Sequence, residues 1–214
     1  MKLYGYWRSS SAYRVRIALE LKGLRYENVP VHLVRNGGEQ HQPGFAAQNP
    51  MQQVPVLEVD DDGAPFCLTQ SIAIVEYLDE RFPDPALLPS EPRRRARARE
   101  FAEIVNAGIQ PHQNLDTLAR LAPSVDGKAF ARDFNERGLG ALERLAAKTA
   151  GKFLIGDDIS IADIWLVPQL YSARRFGVKL DGLMTLLRVE GELLPLPEFQ
   201  AAHPARQPDA ERAP

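Results

Sequence analysis

Three consecutive hydroxyl side chains, Ser9, Ser10 and Ser11, follow Arg8 where a short β-prone run gives way to a helical pattern. The first backbone N–H groups of a helix have no partner within the helix, and the helix dipole makes that end positive. Such an end stabilises anions, and ligands of α/β sheets gather beyond the carboxyl ends of the strands. One serine is expected to cap the helix. The turn is therefore either a cap with coincidental serines or a binding site for an anionic group.

The other residues that could do chemistry form no diagnostic pattern. No serine sits in a Gly-x-Ser-x-Gly elbow, which disfavours a triad hydrolase. The histidines show neither a diagnostic pairing with an acid nor metal-ligand spacing with Cys67, so no metal site is predicted. Cys67 lies in a β-rich run and is expected to be a small core residue rather than a nucleophile. The histidines are His32, His41, His112 and His203.

Composition is that of an ordinary globular protein. Of the 214 residues, 44% are hydrophobic and 25% are charged, which is enough for a sizeable core. The net charge of −2 predicts no general attraction to nucleic acid or to an anionic membrane, and no apolar run approaches the ~18 residues of a spanning helix. The basic run Arg93–Arg99 is interpreted as a solvated helix face. A single cysteine fits a reducing compartment, so the cytoplasm is the expected location.

The serine turn lies inside a predicted β-α-β unit. Leu3–Tyr6 is a β-prone run, and the helical periodicity that starts at Ala12 ends at Gly23, a residue suited to a left-handed C-terminal cap. Tyr26–Leu33 predicts the second strand.

A hairpin and a helix are predicted next. Val54–Val59 and Pro65–Leu68 flank the pair Asp62-Gly63, which is a hairpin signal. Pro55 opens the first of these strands, where it is either an ordinary edge proline or a cis proline that turns the polar backbone groups of Val54 toward a peptide-like ligand. The pair Gln70-Ser71 then opens a helix, either as a cap or as a carboxylate site.

The second half of the chain is helical in composition. It follows a proline-rich linker, Pro83–Pro92. Ser160 and Asp163, with apolar residues at both staple positions, predict a short-armed capping box whose role is structural. The polar, proline-containing tail from Ala201 is expected to be poorly ordered.

Several of these segments resemble the zeta class of the glutathione transferases. Tyr6–Leu19 is similar to the class signature Ser-Ser-Cys-x-x-Arg-Val-Arg-Ile-Ala-Leu, with Ser11 in place of the cysteine. That replacement leaves a hydrogen-bond donor but removes any role for a protein thiol there. Further matches are Asn49–Pro55, Gln70-Ser71, Gln110–Asn114, Val167–Gln169 and Arg175-Phe176.

The resemblance implies a fold of the α/β plus all-α class. Residues 1–82 would form a thioredoxin-like domain that binds glutathione, and residues 90–214 an all-helical domain that binds the substrate. The class also implies glutathione as the cofactor and a homodimer as the assembly.

The resemblance also implies roles for individual residues. Ser9 would donate a hydrogen bond to the glutathione sulfur, supported by Ser10 and Ser11. Arg8 and Arg175 would bind the carboxylates of the substrate, for which arginine is suited because it binds carboxylates bidentately. The residues expected to hold glutathione are Gln40, Val54, Pro55, Gln70, Ser71, Gln110 and Asn114.

The implied activity is cis–trans isomerisation of a dicarboxylate olefin by reversible addition of the glutathione thiolate. Maleylacetoacetate, from the breakdown of tyrosine and phenylalanine, is the first expected substrate, and maleylpyruvate is the alternative that the sequence does not separate from it. A general conjugating or dehalogenating glutathione transferase is a further alternative. A non-catalytic interaction module with the same fold is the alternative from outside the enzymes.

Overall fold

The apolar runs near the N-terminus pair into one four-stranded sheet in a computed structural model that describes residues 1–61 and 63–211. β1 runs parallel to β2 and antiparallel to β3, and β3 pairs with β4, so the predicted β-α-β unit and hairpin are both present. Asp62 of the predicted hairpin turn lies outside the described residues. The strands are β1 (Lys2–Gly5), β2 (Glu27–Pro30), β3 (Val56–Asp61) and β4 (Ala64–Thr69), and their order in the sheet is β2-β1-β3-β4.

Helix α1 (Ser10–Leu21) connects β1 to β2 and is buried on nearly every side, since every residue from Ser11 to Leu19 is buried. Helix α2 (Pro43–Gln48) lies in the loop before β3, and α3 (Ser71–Arg81) follows β4 and packs against α1. β2 ends before the predicted Leu33, because its neighbour β1 ends at Gly5, opposite Pro30.

Residues Ala86–Leu196 form a second compact unit that is mainly helical. Its central helix packs against three of the others and begins at the predicted capping box, which is confirmed: Ser160 Oγ accepts from the Ala162 N–H at 3.3 Å, and Asp163 accepts from the Ser160 N–H at 2.9 Å. The helices of this unit are α4 (Pro92–Gly108), α5 (Leu115–Ala119), α6 (Gly127–Thr149), α7 (Ile161–Phe176), which is the central one, and α8 (Met184–Leu193).

The C-terminal segment from Pro197 belongs to the first compact unit, together with Met1–Pro85. Its helix α9 (Pro197–Ala202) packs against α1 and buries Phe199. The sequence assigned this segment to the helical domain 90–214. Helix α1 carries buried residues on every face, and the sheet and α3 cover only part of its surface. Helix α9 covers a further face of α1, which is why this segment belongs to the first unit.

The expectation of a poorly ordered tail is wrong for the described residues up to Glu211. Gln207 is buried, and its Nε2 donates to the carbonyls of Ala201 and His203, at 3.0 Å each. Its Oε1 accepts from Asn28 Nδ2 at 3.0 Å. Residues 212–214 lie outside the described residues.

Across residues 1–61 and 63–211, no helix is both long enough and apolar enough to cross a membrane.

Candidate functional site

Ser9 caps α1 at the turn that leaves the carboxyl end of β1. Its backbone is extended, with φ −68° and ψ 122°, and its Oγ accepts a hydrogen bond from the Ala12 N–H at 3.2 Å. Its own N–H donates to the carbonyl of Tyr6 at 2.9 Å, which closes the turn. Because Oγ serves the helix as an acceptor, the hydroxyl proton remains able to point away from the helix backbone. Ser9 can therefore cap the helix and donate to a ligand atom at once.

The turn also holds a cation in a defined orientation. The Cζ atom of Arg8 lies 5.2 Å from the centre of the Trp7 ring and 6.0 Å from that of the Tyr6 ring. Cation–π contacts of this kind orient a guanidinium group. Ser10 is half-buried and Ser11 is buried in the first turn of α1. The structure thus brings Arg8 and the three serines together at the positive end of one helix.

Two other predicted segments lie at the same end of the sheet as this turn. The register places Tyr4 opposite Val56, and Val56 opposite Thr69. The start of β3 and the end of β4 therefore lie beside the end of β1. The Val54–Pro55 peptide bond, just before β3, is cis. The role of Val54 toward a peptide-like ligand stays a prediction. The pair Gln70-Ser71 follows β4 directly.

The N-terminus of α3 forms a second place that favours an anion. Gln70 has φ 69°, a positive value that residues other than glycine seldom adopt and that clusters at functional sites. Ser71 is 4% exposed, and its Oγ accepts from Nη1 of Arg14 at 3.3 Å. A guanidinium has no acceptor, so the Ser71 proton is directed elsewhere and can serve a ligand. The buried cation and the helix dipole both favour a carboxylate at this position.

Gln40 lies in the loop between β2 and α2. Its Nε2 donates to the carbonyl of Leu33 at 3.4 Å and lies 3.1 Å from Nε2 of His41. The Nδ1 of His41 lies 2.7 Å from Oε1 of Gln52, which precedes Val54 by two residues. These contacts tie the Gln40 loop to the segment that leads into the cis peptide.

Gln110, Asn114 and Arg175 lie in the second unit. Gln110 Nε2 donates to Asn114 Oδ1 at 3.0 Å across the 3₁₀ turn Gln110–Gln113. Arg175 is exposed in the last turn of α7. The roles assigned to these three residues stay predictions.

Sequence reasoning gave no role to three charged residues at the site in the first unit. Arg14 supports Ser71, as described above. Arg16, 1% exposed, donates from Nη2 to the carbonyl of Trp7 at 3.0 Å, and Asp209 Oδ2 accepts from the N–H of Trp7 at 2.9 Å. A signal for the arginines was present, because each is flanked by apolar residues within the α1 pattern. Nothing in the sequence around Asp209 marks it.

Cys67 differs from the expectation of a core residue, since it is exposed on β4. Partial desolvation and the carboxylate of Glu58 raise the pKa of its thiol, which keeps it protonated near neutral pH. Among the residues that the structure describes, no group of three or more histidine, cysteine or acidic side chains could hold a metal ion.

The chain is similar in sequence to glutathione transferases and maleylacetoacetate isomerases. The family model described as glutathione S-transferase, N-terminal domain, matches residues 1–80. The maleylacetoacetate isomerase of Mus musculus is 45% identical over 207 residues, which make up 97% of this chain and 94% of the mouse protein.

Solved structures extend the similarity to the fold. The maleylacetoacetate isomerase of Anaeromyxobacter dehalogenans 2CP-1, with GSH bound in its active site, is 53% identical with a TM-score of 0.90, covering 98% of this chain and 97% of that one. The same enzyme has been solved with dicarboxyethyl glutathione and citrate in the active site. A bacterial maleyl pyruvate isomerase of the zeta class is 41% identical with a TM-score of 0.92, covering 99% and 100%. The predicted fold class, thioredoxin-like followed by all-helical, is confirmed.

Proposed function

We propose that this chain, which belongs to the maleylacetoacetate isomerases of the zeta class of glutathione transferases, is a glutathione-dependent enzyme that converts maleylacetoacetate to fumarylacetoacetate. The observation that carries the proposal is the turn in which Ser9 caps α1 and keeps its hydroxyl proton available beside Arg8. The same reaction places the enzyme in the breakdown of tyrosine and phenylalanine.

The first unit fits glutathione, an anionic peptide that carries a thiol. Ser71, with Arg14 beneath it, suits a carboxylate of the peptide. Val54 precedes β3, whose ladders with β1 and β4 begin at Val56, so its backbone lies at the end of the sheet, where an extended peptide can pair with it. The residues that we propose to hold glutathione are Gln40, Val54, Pro55, Gln70 and Ser71 in this unit, with Gln110 and Asn114 from the second.

The serine turn has to make the thiol an anion. A free cysteine thiol has a pKa of about 8.5, so only a few per cent of it is thiolate at pH 7. Lowering that pKa by about two units makes the thiolate dominant, and this requires about 2.7 kcal/mol of preferential stabilisation. A hydroxyl donor and the positive end of a helix are the groups that favour negative charge. Ser9 supplies the hydrogen bond, and Ser10 and Ser11 extend the polar end of α1.

The arginines act on the substrate. Bound glutathione supplies a thiol that adds to the cis double bond and leaves again after the resulting single bond has rotated. The substrate is a dianion, and we propose that Arg8 and Arg175 bind its carboxylates. Packing against Trp7 and Tyr6 restricts the rotamers of Arg8, so less entropy is lost when it binds.

An assay of maleylacetoacetate with and without glutathione tests the proposal. We expect turnover only with glutathione, and we expect glutathione to be recovered unchanged. Stoichiometric consumption of glutathione would instead identify a conjugating or dehalogenating transferase. If calorimetry at millimolar glutathione detects no binding, the protein is a non-catalytic module of this fold.

Maleylpyruvate is the second candidate substrate, because a zeta-class isomerase of that compound has the same fold over 99% of this chain. Competition between the two substrates in one reaction gives the ratio of their kcat/KM values. A ratio that favours maleylpyruvate would assign the enzyme to aromatic-acid catabolism.

Replacing Arg14 by methionine is expected to weaken glutathione binding by roughly tenfold, with a smaller change in kcat. The reason is that Ser71 loses the buried donor that orients its hydroxyl. A loss of about tenfold in affinity is typical of losing one hydrogen bond to a charged group. Isothermal titration calorimetry on the folded variant measures the change. Arg14→Lys retains a positive charge and should recover part of the affinity, whereas equal affinities in all three proteins would remove Arg14 from the binding site.

We also propose that the enzyme is a cytoplasmic homodimer. The single cysteine, Cys67, fits a reducing compartment, which the thiol of glutathione also needs. Light scattering of the purified protein decides the assembly, and a mass of one chain would exclude the dimer.

A further inference from the structure

The peptide groups on both sides of Trp7 are connected to the C-terminal segment, one directly and one through Arg16 of α1. The N–H of Trp7 donates to Asp209 Oδ2 at 2.9 Å. Its carbonyl accepts from Nη2 of Arg16 at 3.0 Å, and Nε of the same guanidinium donates to the carbonyl of Ala202 at 3.0 Å. Arg16 therefore bridges the serine turn to the last residue of α9. Trp7 itself precedes Ser9 by two residues.

We propose that residues 202–209, called here the C-terminal strap, position the serine turn for glutathione, with Asp209 and Arg16 as the positioning residues. This inference rests on the proposed function. It adds a role for a part of the chain to which the proposed function assigns no ligand-binding residue.

The strap is anchored independently of the turn, so it can hold Trp7 in place. Gln207 donates to the carbonyls of Ala201 and His203 and accepts from Asn28 on β2. Asp209 follows this anchor by two residues. A flexible chain end would give its carboxylate many positions, whereas the anchor restricts it to the neighbourhood of the Trp7 N–H.

A movement of Trp7 is passed to the two groups that act on ligands. The peptide group between Tyr6 and Trp7 donates its N–H to Asp209 and accepts the N–H of Ser9 at its carbonyl oxygen. Rotation of this peptide group therefore tilts Ser9 and its hydroxyl. The guanidinium of Arg8 packs on the Trp7 ring and follows it. Small displacements matter here, because a charge-assisted hydrogen bond weakens steeply when its alignment is lost.

The carboxylate of Asp209 also brings a negative charge near the place where the thiolate forms, and that charge by itself opposes ionisation. Positioning and charge therefore predict opposite effects of Asp209→Ala on the thiol pKa, since loss of positioning raises it and loss of the negative charge lowers it. Asp209→Asn loses only the charge. An amide oxygen still accepts the Trp7 N–H, while the charge is gone. Positioning predicts that this variant keeps wild-type affinity and a thiol pKa that is unchanged or lower.

The experiment compares Asp209→Ala and Asp209→Asn with the matched control Glu211→Gln. Glu211 lies outside the strap, where its Oε1 accepts from Arg35 Nη2 at 2.9 Å and lies 3.1 Å from Nε2 of His32. Its replacement leaves the bonds of Trp7 to Asp209 and Arg16 in place. For Asp209→Ala we expect glutathione affinity to fall by roughly fivefold to tenfold and the bound thiol pKa to rise, as for the loss of one hydrogen bond. The Asn and Gln variants should match the wild type in affinity. Calorimetry and ultraviolet titration of the thiolate measure these quantities.

A measurement on the protein without glutathione tests the role of the strap separately from the proposed function. The chain has two tryptophans, so in a Trp165→Phe background the fluorescence anisotropy of Trp7 reports the mobility of the turn. We expect Asp209→Ala to lower this anisotropy and Asp209→Asn to retain it. Unchanged anisotropy and affinity in Asp209→Ala would overturn the positioning role. If the wild type does not bind glutathione but Asp209→Ala still lowers the anisotropy, the proposed function is overturned. The role of Asp209 in holding Trp7 is then retained.

Discussion

Ser9→Ala is expected to lower kcat/KM for maleylacetoacetate by about 100-fold, the loss typical when a donor to a developing anion is removed. The variant loses the hydroxyl that faces the sulfur in the proposed complex, and the bound thiol should become harder to ionise. We therefore expect the rise of kcat with pH to move to higher pH. Steady-state kinetics across pH and ultraviolet titration of the bound thiolate measure the two effects.

Variants at the same position separate this role from capping, since Ser9 Oγ also accepts from the Ala12 N–H. Ser9→Thr keeps the hydroxyl and should retain most activity. Ser9→Asp keeps a good cap but places an anion against the thiolate, so activity should fall at least as far as in Ser9→Ala. Full activity in Ser9→Asp would show that capping alone is the role of Ser9.

The neighbouring serines test which hydroxyl donates. Ser10→Ala and Ser11→Ala are expected to have smaller effects on the thiol pKa than Ser9→Ala, because Ser9 is the residue that caps α1 with its proton available. A larger effect at either position would move the sulfur donor to that residue.

Asp163→Ala is expected to lower the free energy of unfolding by about 4 kcal/mol, because several buried donors lose their acceptor at once. The carboxylate is fully buried and accepts from the Leu154 N–H at 2.9 Å, the Ser160 N–H at 2.9 Å and the Ser160 hydroxyl at 3.0 Å. It therefore fixes both the start of α7 and the segment before it. Urea unfolding of the variant and the wild type measures the difference.

Asp126→Ala is the matched control for this variant. Asp126 caps α6 in an exposed position, accepting from the N–H groups of Lys128 and Ala129 at 2.9 Å and 3.1 Å. Loss of an exposed cap typically costs about 1 kcal/mol. Equal losses at Asp163 and Asp126 would mean that burial adds nothing to the capping box.

The pH dependence of stability gives a second test of Asp163. Burial raises its pKa from 3.8 to about 6, against the opposing effect of the N–H and O–H donors. The folded protein thus holds this proton more tightly than the unfolded chain does. The resulting stability is fully present below pH 3.8 and is lost as the pH rises through about 6. Asp163→Asn cannot titrate, so the stability of the wild type relative to this variant should decrease over that interval. A constant or growing difference would contradict a raised pKa.

Local patterns predicted the parts of this protein whose causes are local. The cap at the serine turn, the hairpin of β3 and β4, and the capping box at α7 each depend on residues within a few positions of one another. Resemblance to the zeta class added glutathione and the isomerase activity, because Tyr6–Leu19 and several later segments together match that class. The roles of the individual site residues, including Gln110, Asn114 and Arg175, remain predictions of that resemblance.

Only the tertiary structure decided which distant residues support the serine turn and Ser71. Arg14 reaches Ser71 across 57 positions, Arg16 reaches Ala202 across 186, and Trp7 meets Asp209 across 202. It also placed α9 on α1, the tail after it against Asn28 and Trp7, and Cys67 at an exposed position on β4. Composition and periodicity report whether a residue suits a buried or exposed position. They do not identify the residue that pairs with a buried charge, because that residue is determined by how the helices and strands pack.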